Sequence, residues 1–159
     1  MLDMFLKTPS RRTFTAACVV AAALAGGLSA ATAQDAKKPH RLAVQVDVND
    51  AAAMNLALNN VVNVARHYTA QGDEVEIEIV AFGPGLHMLR DDTSPVKARV
   101  KSIAQSMPYV TFDACNNTRE GMKKAEGKDI PLVSQAKVVP SGVVRIMELQ
   151  EQGWSYLRP

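Results

Sequence analysis

Cysteine is nearly absent from this chain: its 159 residues hold two, Cys18 and Cys115. With no pair at C-x-x-C spacing, dithiol exchange and thiolate zinc sites are excluded, and so is a disulfide framework. The three histidines, His40, His67 and His87, show no ligand spacing with one another or with Cys115. No Ser-His-Asp signature occurs, and Gly83-Pro84-Gly85 lacks the spacing of a phosphate or dinucleotide loop. The sequence therefore implies no metal and no cofactor.

A dominant charge of one sign is missing too. The formal charge is +2, from 18 basic and 16 acidic residues, and most of that excess belongs to the first residues. Lys7, Arg11 and Arg12 form a positive start, residues from Ala16 to Leu28 are almost all apolar, and Ala31-Thr32-Ala33 fits a small-residue cleavage site. This reads as a cleaved export signal over 1–33, with Gln34 as the new terminus. Ser10-Arg11-Arg12-Thr13-Phe14 resembles a twin-arginine motif, although Thr15-Ala16 departs from it, and the general secretory route stays open. The apolar stretch is too short to span a bilayer comfortably, so no membrane is expected for the mature form. Either export route leads to the periplasm. Removing 33 of 159 residues leaves 126, with three basic residues and one acidic residue lost, so 15 of each sign remain. A neutral chain without a basic stripe excludes a nucleic-acid footprint. Cys18 leaves with the signal, and Cys115 then has no partner within the chain.

The 126 residues suffice for one domain with a core. Residues 34–40 are polar and without periodicity, and read as a disordered lead-in before a single domain over 41–159. Arg41 to Val48 reads as a strand. Asn49 or Asp50 caps a helix running to about Ala70, stopped by Gly72. Asn55, Asn59 and Asn63 stripe that helix and suggest a solvated or subunit-facing surface. Glu74 to Phe82 reads as a strand broken by Gly83-Pro84-Gly85, with a short helix around Leu86–Arg90. Ser94 caps another helix, with Pro95 in its first position. A strand from Tyr109 to Ala114 follows, then a helix from about Asn117 to Ala125 ending at Gly127. Lys137-Val138-Val139 is a short strand. Ser141 caps the last helix, whose inward residues are expected to be Val144, Ile146, Met147 and Leu149. Trp154 to Leu157 closes as a strand anchored by Trp154 and Tyr156. Five alternations of strand and helix predict an α/β fold: a mostly parallel five-stranded sheet in three α/β/α layers, flavodoxin-like in broad architecture.

Sites in such sheets gather at the carboxyl ends of strands, near the point where strand order reverses. Those ends offer Asp47 and Asn49, Gly83-Pro84-Gly85, Cys115-Asn116-Asn117 and Pro140-Ser141-Gly142. Cys115 stands where a strand meets a helix start, so free amides and the helix dipole can hold its thiolate. The candidate site is thus Cys115 as the reactive thiol, with Asn116, Asn117, Gly83, Gly85, Ser141 and Gly142 as its surroundings. A lone cysteine is also a common core residue, and both readings stand at this point. Asp113 shares the strand face of Cys115 and would oppose the thiolate if turned toward it. His87 can reach the same rim, although packing in the glycine turn explains it as well.

Three segments together resemble the DsrE/DsrF-like family in its exported single-domain form. They are Ala81-Phe82-Gly83-Pro84-Gly85-Leu86, then Phe112-Asp113-Ala114-Cys115-Asn116-Asn117-Thr118, and then Val138 to Val143 with Leu149 to Pro159. The resemblance covers nearly all of 41–159. It departs at Asn116, where glycine is common. It implies a three-layer fold that assembles into homo- or hetero-oligomers. Some relatives carry sulfur as a cysteine persulfide in sulfur oxidation and transfer-RNA thiolation. Carried over, Cys115 is the sulfur-accepting thiol of a periplasmic sulfur carrier, with a donor and an acceptor protein as partners. The rival is a non-catalytic binding module, oligomeric and with a structural Cys115.

Overall fold

The computed structural model describes residues 38–159; the expected export signal and the lead-in up to residue 37 lie outside the described residues. Strands β1 (His40–Val46), β2 (Val75–Ala81), β3 (Val110–Cys115), β4 (Ala136–Val139) and β5 (Ser155–Leu157) form a single sheet. It is parallel throughout, in the order β4-β3-β2-β1-β5. Helices α1 (Ala51–Ala70), α2 (Lys97–Ser106), α3 (Asn116–Glu126) and α4 (Gly142–Glu151) connect the strands, and a 3₁₀ helix (Gly83–Leu89) precedes α2. Among the described residues no helix is long and apolar enough to cross a membrane.

Strand order decides which face each helix covers. From β1 to β4 the chain steps one way along the sheet, so right-handed crossovers put α1, α2 and α3 on one face. The return from β4 to β5 runs the other way and puts α4 on the opposite face. Strand alternation follows suit. Val44, Val46, Ile77, Ile79, Ala81, Phe112 and Ala114 join Met54, Leu58, Val61 and Val100 in the larger core. Ala43 and Val80 face the other way and meet Ile146 and Leu149 of α4, with Phe82 and Trp154 packed alongside.

One helix cannot cover a five-stranded face, and this corrects the expected interior of α4. Ile146 and Leu149 are buried, but Val143, Val144 and Met147 are 54%, 50% and 55% exposed. Tyr156 is exposed as well, its hydroxyl donating to Gln45 Oε1 at 2.7 Å, while Trp154 is half-buried. Among the described residues nothing lies over Tyr156 to bury it.

Other boundaries follow local chemistry. The Asp50 carboxylate accepts the Ala53 amide at 2.7 Å and caps α1. His40 opens β1 rather than lying in a disordered lead-in: its ring stacks on Tyr68 at 3.6 Å and its amide donates to the Glu74 carbonyl. Helix α2 begins at Lys97, after Pro95, because the Ser94 hydroxyl donates to the Met88 carbonyl at 2.6 Å and closes a turn there. The asparagine stripe lies at the surface as expected, with Asn59 and Asn63 exposed and Asn55 half-buried, but two of its members also make a contact between helices. Arg99 donates to Asn55 Oδ1 and Asn59 Oδ1 and ties α2 to α1. Arg90, 1% exposed, pairs with Asp92 and Glu126 and fastens the 3₁₀ segment to α3.

The glycine turn packs against the end of β1. A Cβ on Gly85 would lie 2.2 Å from the Val46 carbonyl oxygen, whereas one on Gly121 of α3 would meet open space. Gly85→Ala is therefore expected to cost about 3 kcal/mol through backbone displacement, and Gly121→Ala to add about 0.5–1 kcal/mol through helix propensity. Urea unfolding of the two variants checks both signs.

Candidate functional site

Strands β3 and β4 are neighbours, with Cys115 opposite Val139 in the register. Both end at the same edge of the sheet, and each is followed at once by a helix. Helix α3 leaves toward one face and α4 toward the other. Their N-termini therefore flank the end of β3, and each brings first-turn amides that have no partner inside the helix.

Cys115 sits between them. It is the last residue of β3 and the N-cap of α3, with φ −65° and ψ 116°. Its sulfur accepts the Thr118 amide at 3.5 Å. Burial pushes the thiol up, but the Thr118 hydroxyl and the amides of Gly142, Thr118 and Asn117 outweigh it and hold the thiol below its ordinary value. The Thr118 hydroxyl oxygen also accepts the Gly83 amide at 2.9 Å. That leaves the hydroxyl proton to point at sulfur. Four groups from two strand-to-helix junctions thus address one atom, and Cys115 is 4% exposed.

The four strand-end loops meet along this edge. Gly85 packs on Val46, Gly83 holds Thr118, the Asn117 amide donates to the Pro140 carbonyl at 3.3 Å, and Gly142 lies against the Phe82 ring. The Ser141 hydroxyl accepts the Val144 amide and caps α4. Asn116 is half-buried as the first residue of α3, and the Asn117 side chain is exposed. The reversal of strand order lies elsewhere, between β1 and β5, where the Arg158 guanidinium pairs with Asp47 at 2.9 Å. Cys115 is two strands away from it. A groove of about 330 Å³ runs beside the site on the α4 face, lined by Lys137, Val139, Pro140, Ser141, Val144 and Arg145 among others.

Asp113 is fully buried on the same face as Cys115. The Arg145 guanidinium approaches it at 3.5 Å and also chelates Glu78, with Nη2 donating to Glu78 Oε2 at 2.7 Å. Burial and the neighbouring Glu78 raise Asp113 to about 7. Burial acts upward on Glu78 as well, but the Arg145 bond carries it below its ordinary value. As a carboxylate Asp113 finds no donor for either oxygen; protonated, it can itself donate to Glu78. His87 stands apart: its Nδ1 lies 2.7 Å from Thr93 Oγ1, a contact within its own turn. Among the described residues no group of three or more His, Cys, Asp or Glu could hold a metal ion.

Thr118, Glu78 and Arg145 were not among the residues expected from sequence. For Thr118 a signal exists, since it lies three residues after an N-cap, at the position a capping box uses. The Glu78–Arg145 pair spans 67 residues and left no local trace.

The fold and site of the described residues together define a parallel α/β domain with an amide-cradled thiol at a strand-to-helix junction. No protein-family model matches the chain, and no curated protein matches it. A solved structure does: a protein of unknown function from Methanobacterium thermoautotrophicum, 34% identical, covering 76% of this chain and 99% of that one, with a TM-score of 0.63. The chain belongs to the same family as that protein.

Thr118→Val keeps the side-chain shape, removes the hydroxyl and orphans the Gly83 amide. The expected result is a rise in the Cys115 pKa of about one, hence about tenfold less thiolate at neutral pH. The pH profile of Cys115 alkylation by iodoacetamide, read on the isolated peptide by mass spectrometry, measures it.

Proposed function

We propose that this chain is a periplasmic sulfur carrier of the DsrE/DsrF-like type, with Cys115 as its sulfur-accepting thiol. The observation that carries the reading is the cradle of three amides and one hydroxyl around the sulfur, which favours its anionic form. A thiolate is the nucleophile in sulfur exchange, and its persulfide needs the same anionic stabilisation. The Cys115 thiolate attacks the outer sulfur of a donor persulfide or polysulfide. The donor's S–S bond breaks, a new S–S bond forms on Cys115, and the donor leaves as a thiolate. No net oxidant or reductant enters, and transfer to an acceptor thiolate reverses these bond changes. With the thiol 4% exposed, the fitting donors are small inorganic polysulfides or a cysteine carried on a flexible arm. The export signal expected over 1–33 from the sequence is what supports a periplasmic carrier.

That same burial favours a second reading, in which Cys115 is only the cap of α3 and the domain is a binding module. Maleimide discriminates: labelling of Cys115 in native protein supports the carrier, and labelling only after unfolding supports the module. In the carrier reading, incubation with polysulfide adds about 32 Da to the Cys115 peptide, the mass of one sulfur atom. Cys115→Ser abolishes that addition and leaves the fold intact. No added mass on folded protein contradicts the reading.

The chain assembles as a homo-oligomer in this proposal. Supporting it are Val143, Val144 and Met147, which leave α4 with an apolar outer face on a side of the sheet where the described residues supply no second helix. Light scattering during size exclusion is expected to give a multiple of the chain mass. Met147→Glu is expected to lower that mass toward one chain without unfolding the domain.

A further inference from the structure

The buried acid pair beneath α4 has no part in the chemistry above, yet it is built into the thiol's surroundings. Glu78 comes from β2, Asp113 from β3, Lys137 from β4 and Arg145 from α4, and these are the charged groups that face Asp113 from the elements packed on it. Asp113 lies opposite Lys137 in the register, and Glu78 is 5% exposed. Arg145 stands one turn after Gly142, whose amide is among those directed at the Cys115 sulfur. Its amide donates to the Ser141 carbonyl at 3.0 Å, so the residue whose guanidinium holds Glu78 also belongs to the first turn of α4. On the strand itself Asp113 and Cys115 are two residues apart, about 7 Å, and point to the same face.

We propose that Asp113 is a positioning residue for the ionisation of Cys115: the Glu78–Asp113 pair shares one proton above Arg145, and loss of that proton opposes the thiolate. The proposal rests on Cys115 being a thiol that ionises in the folded protein, but not on any sulfur donor. The physics is that of two acids in one poorly solvated site, where the second charge is resisted by the first. Below the release of the shared proton the pair carries one negative charge, and Arg145 balances it. Above it the pair carries two, and the added charge lies on the sulfur's own strand. At about 7 Å in a protein interior, such a charge shifts the thiol's midpoint by about one pH unit or more. The pH at which Asp113 yields its proton, about 7, places this opposition in the neutral range.

The test is a thiolate titration of the full chain by ultraviolet absorbance, taken as the difference from Cys115→Ser so that Cys18 and the tyrosines cancel. Asp113→Asn imitates the protonated acid and fixes the pair at one charge, held on Glu78. Glu78→Gln also fixes one charge, but holds it on Asp113. The wild-type curve is expected to be broader than a single-site titration. Asp113→Asn should narrow it and lower its midpoint by about one pH unit, equivalent to about tenfold more thiolate at a given pH. Glu78→Gln should narrow it while keeping the midpoint at or above that of the wild type. A single-site wild-type curve, an Asp113→Asn midpoint at or above the wild type, or coincident curves for the two variants would overturn the proposal. Circular dichroism reports folding; if Asp113→Asn does not fold, the wild-type width and the Glu78→Gln midpoint still decide. Failure of sulfur loading with these shifts present would count against the carrier reading alone.

Discussion

Two helix N-termini converge on one sulfur atom, and much of this molecule follows from that convergence. It is a consequence of topology. Because β3 and β4 are adjacent while their following helices leave toward opposite faces, the ends of α3 and α4 flank Cys115 from both sides. Unpaired first-turn amides are costly when buried without an acceptor. A sulfur that is partly or wholly anionic satisfies several at once, and the Thr118 hydroxyl completes the set. Stabilising the helix ends and stabilising the thiolate are thus one interaction seen from two sides.

The second constraint is that, among the described residues, α4 is the one helix on its face of the sheet. A helix with only Ile146 and Leu149 buried has little apolar grip. Arg145 supplements it by reaching Glu78 in the centre of β2 and approaching Asp113 in β3. An ion cluster buried this deeply adds little net stability compared with hydrocarbon, but it fixes a single placement of the helix. Placement matters here because Gly142, at the start of α4, faces the sulfur and cannot gain a Cβ without displacing Phe82. The lightly covered face and the well-defined thiol environment are linked through these few side chains.

Sequence carried the elements well where the signal was local. Asp50 before an apolar-periodic run, Gly127 after another, and Ser141 ahead of the last helix each marked a boundary that the structure keeps. The strand-to-helix position of Cys115 was legible for the same reason: a β-rich run stops and a helix pattern starts around one residue. What was not legible depends on pairing across the sheet. Strand order decides that Val144 and Met147 face outward, and helical periodicity alone cannot tell an inward stripe from one that meets no partner layer. Acids alternating along a strand ordinarily face water, yet Glu78 is buried because Arg145 arrives from 67 residues away. Thr118 escaped because its role is double, accepting from Gly83 while serving the sulfur, and only the folded loops bring those partners together.

The central claim is that the Cys115 sulfur is ionised more readily than an ordinary cysteine although it is almost wholly buried. Nuclear magnetic resonance of the Cys115 Cβ carbon through a pH titration reads that state directly and needs no reagent to reach the sulfur. A midpoint below the ordinary cysteine value of about 8.5 is the predicted result. A midpoint above about 9 would mean that burial outweighs the converging amides, and it would contradict the account.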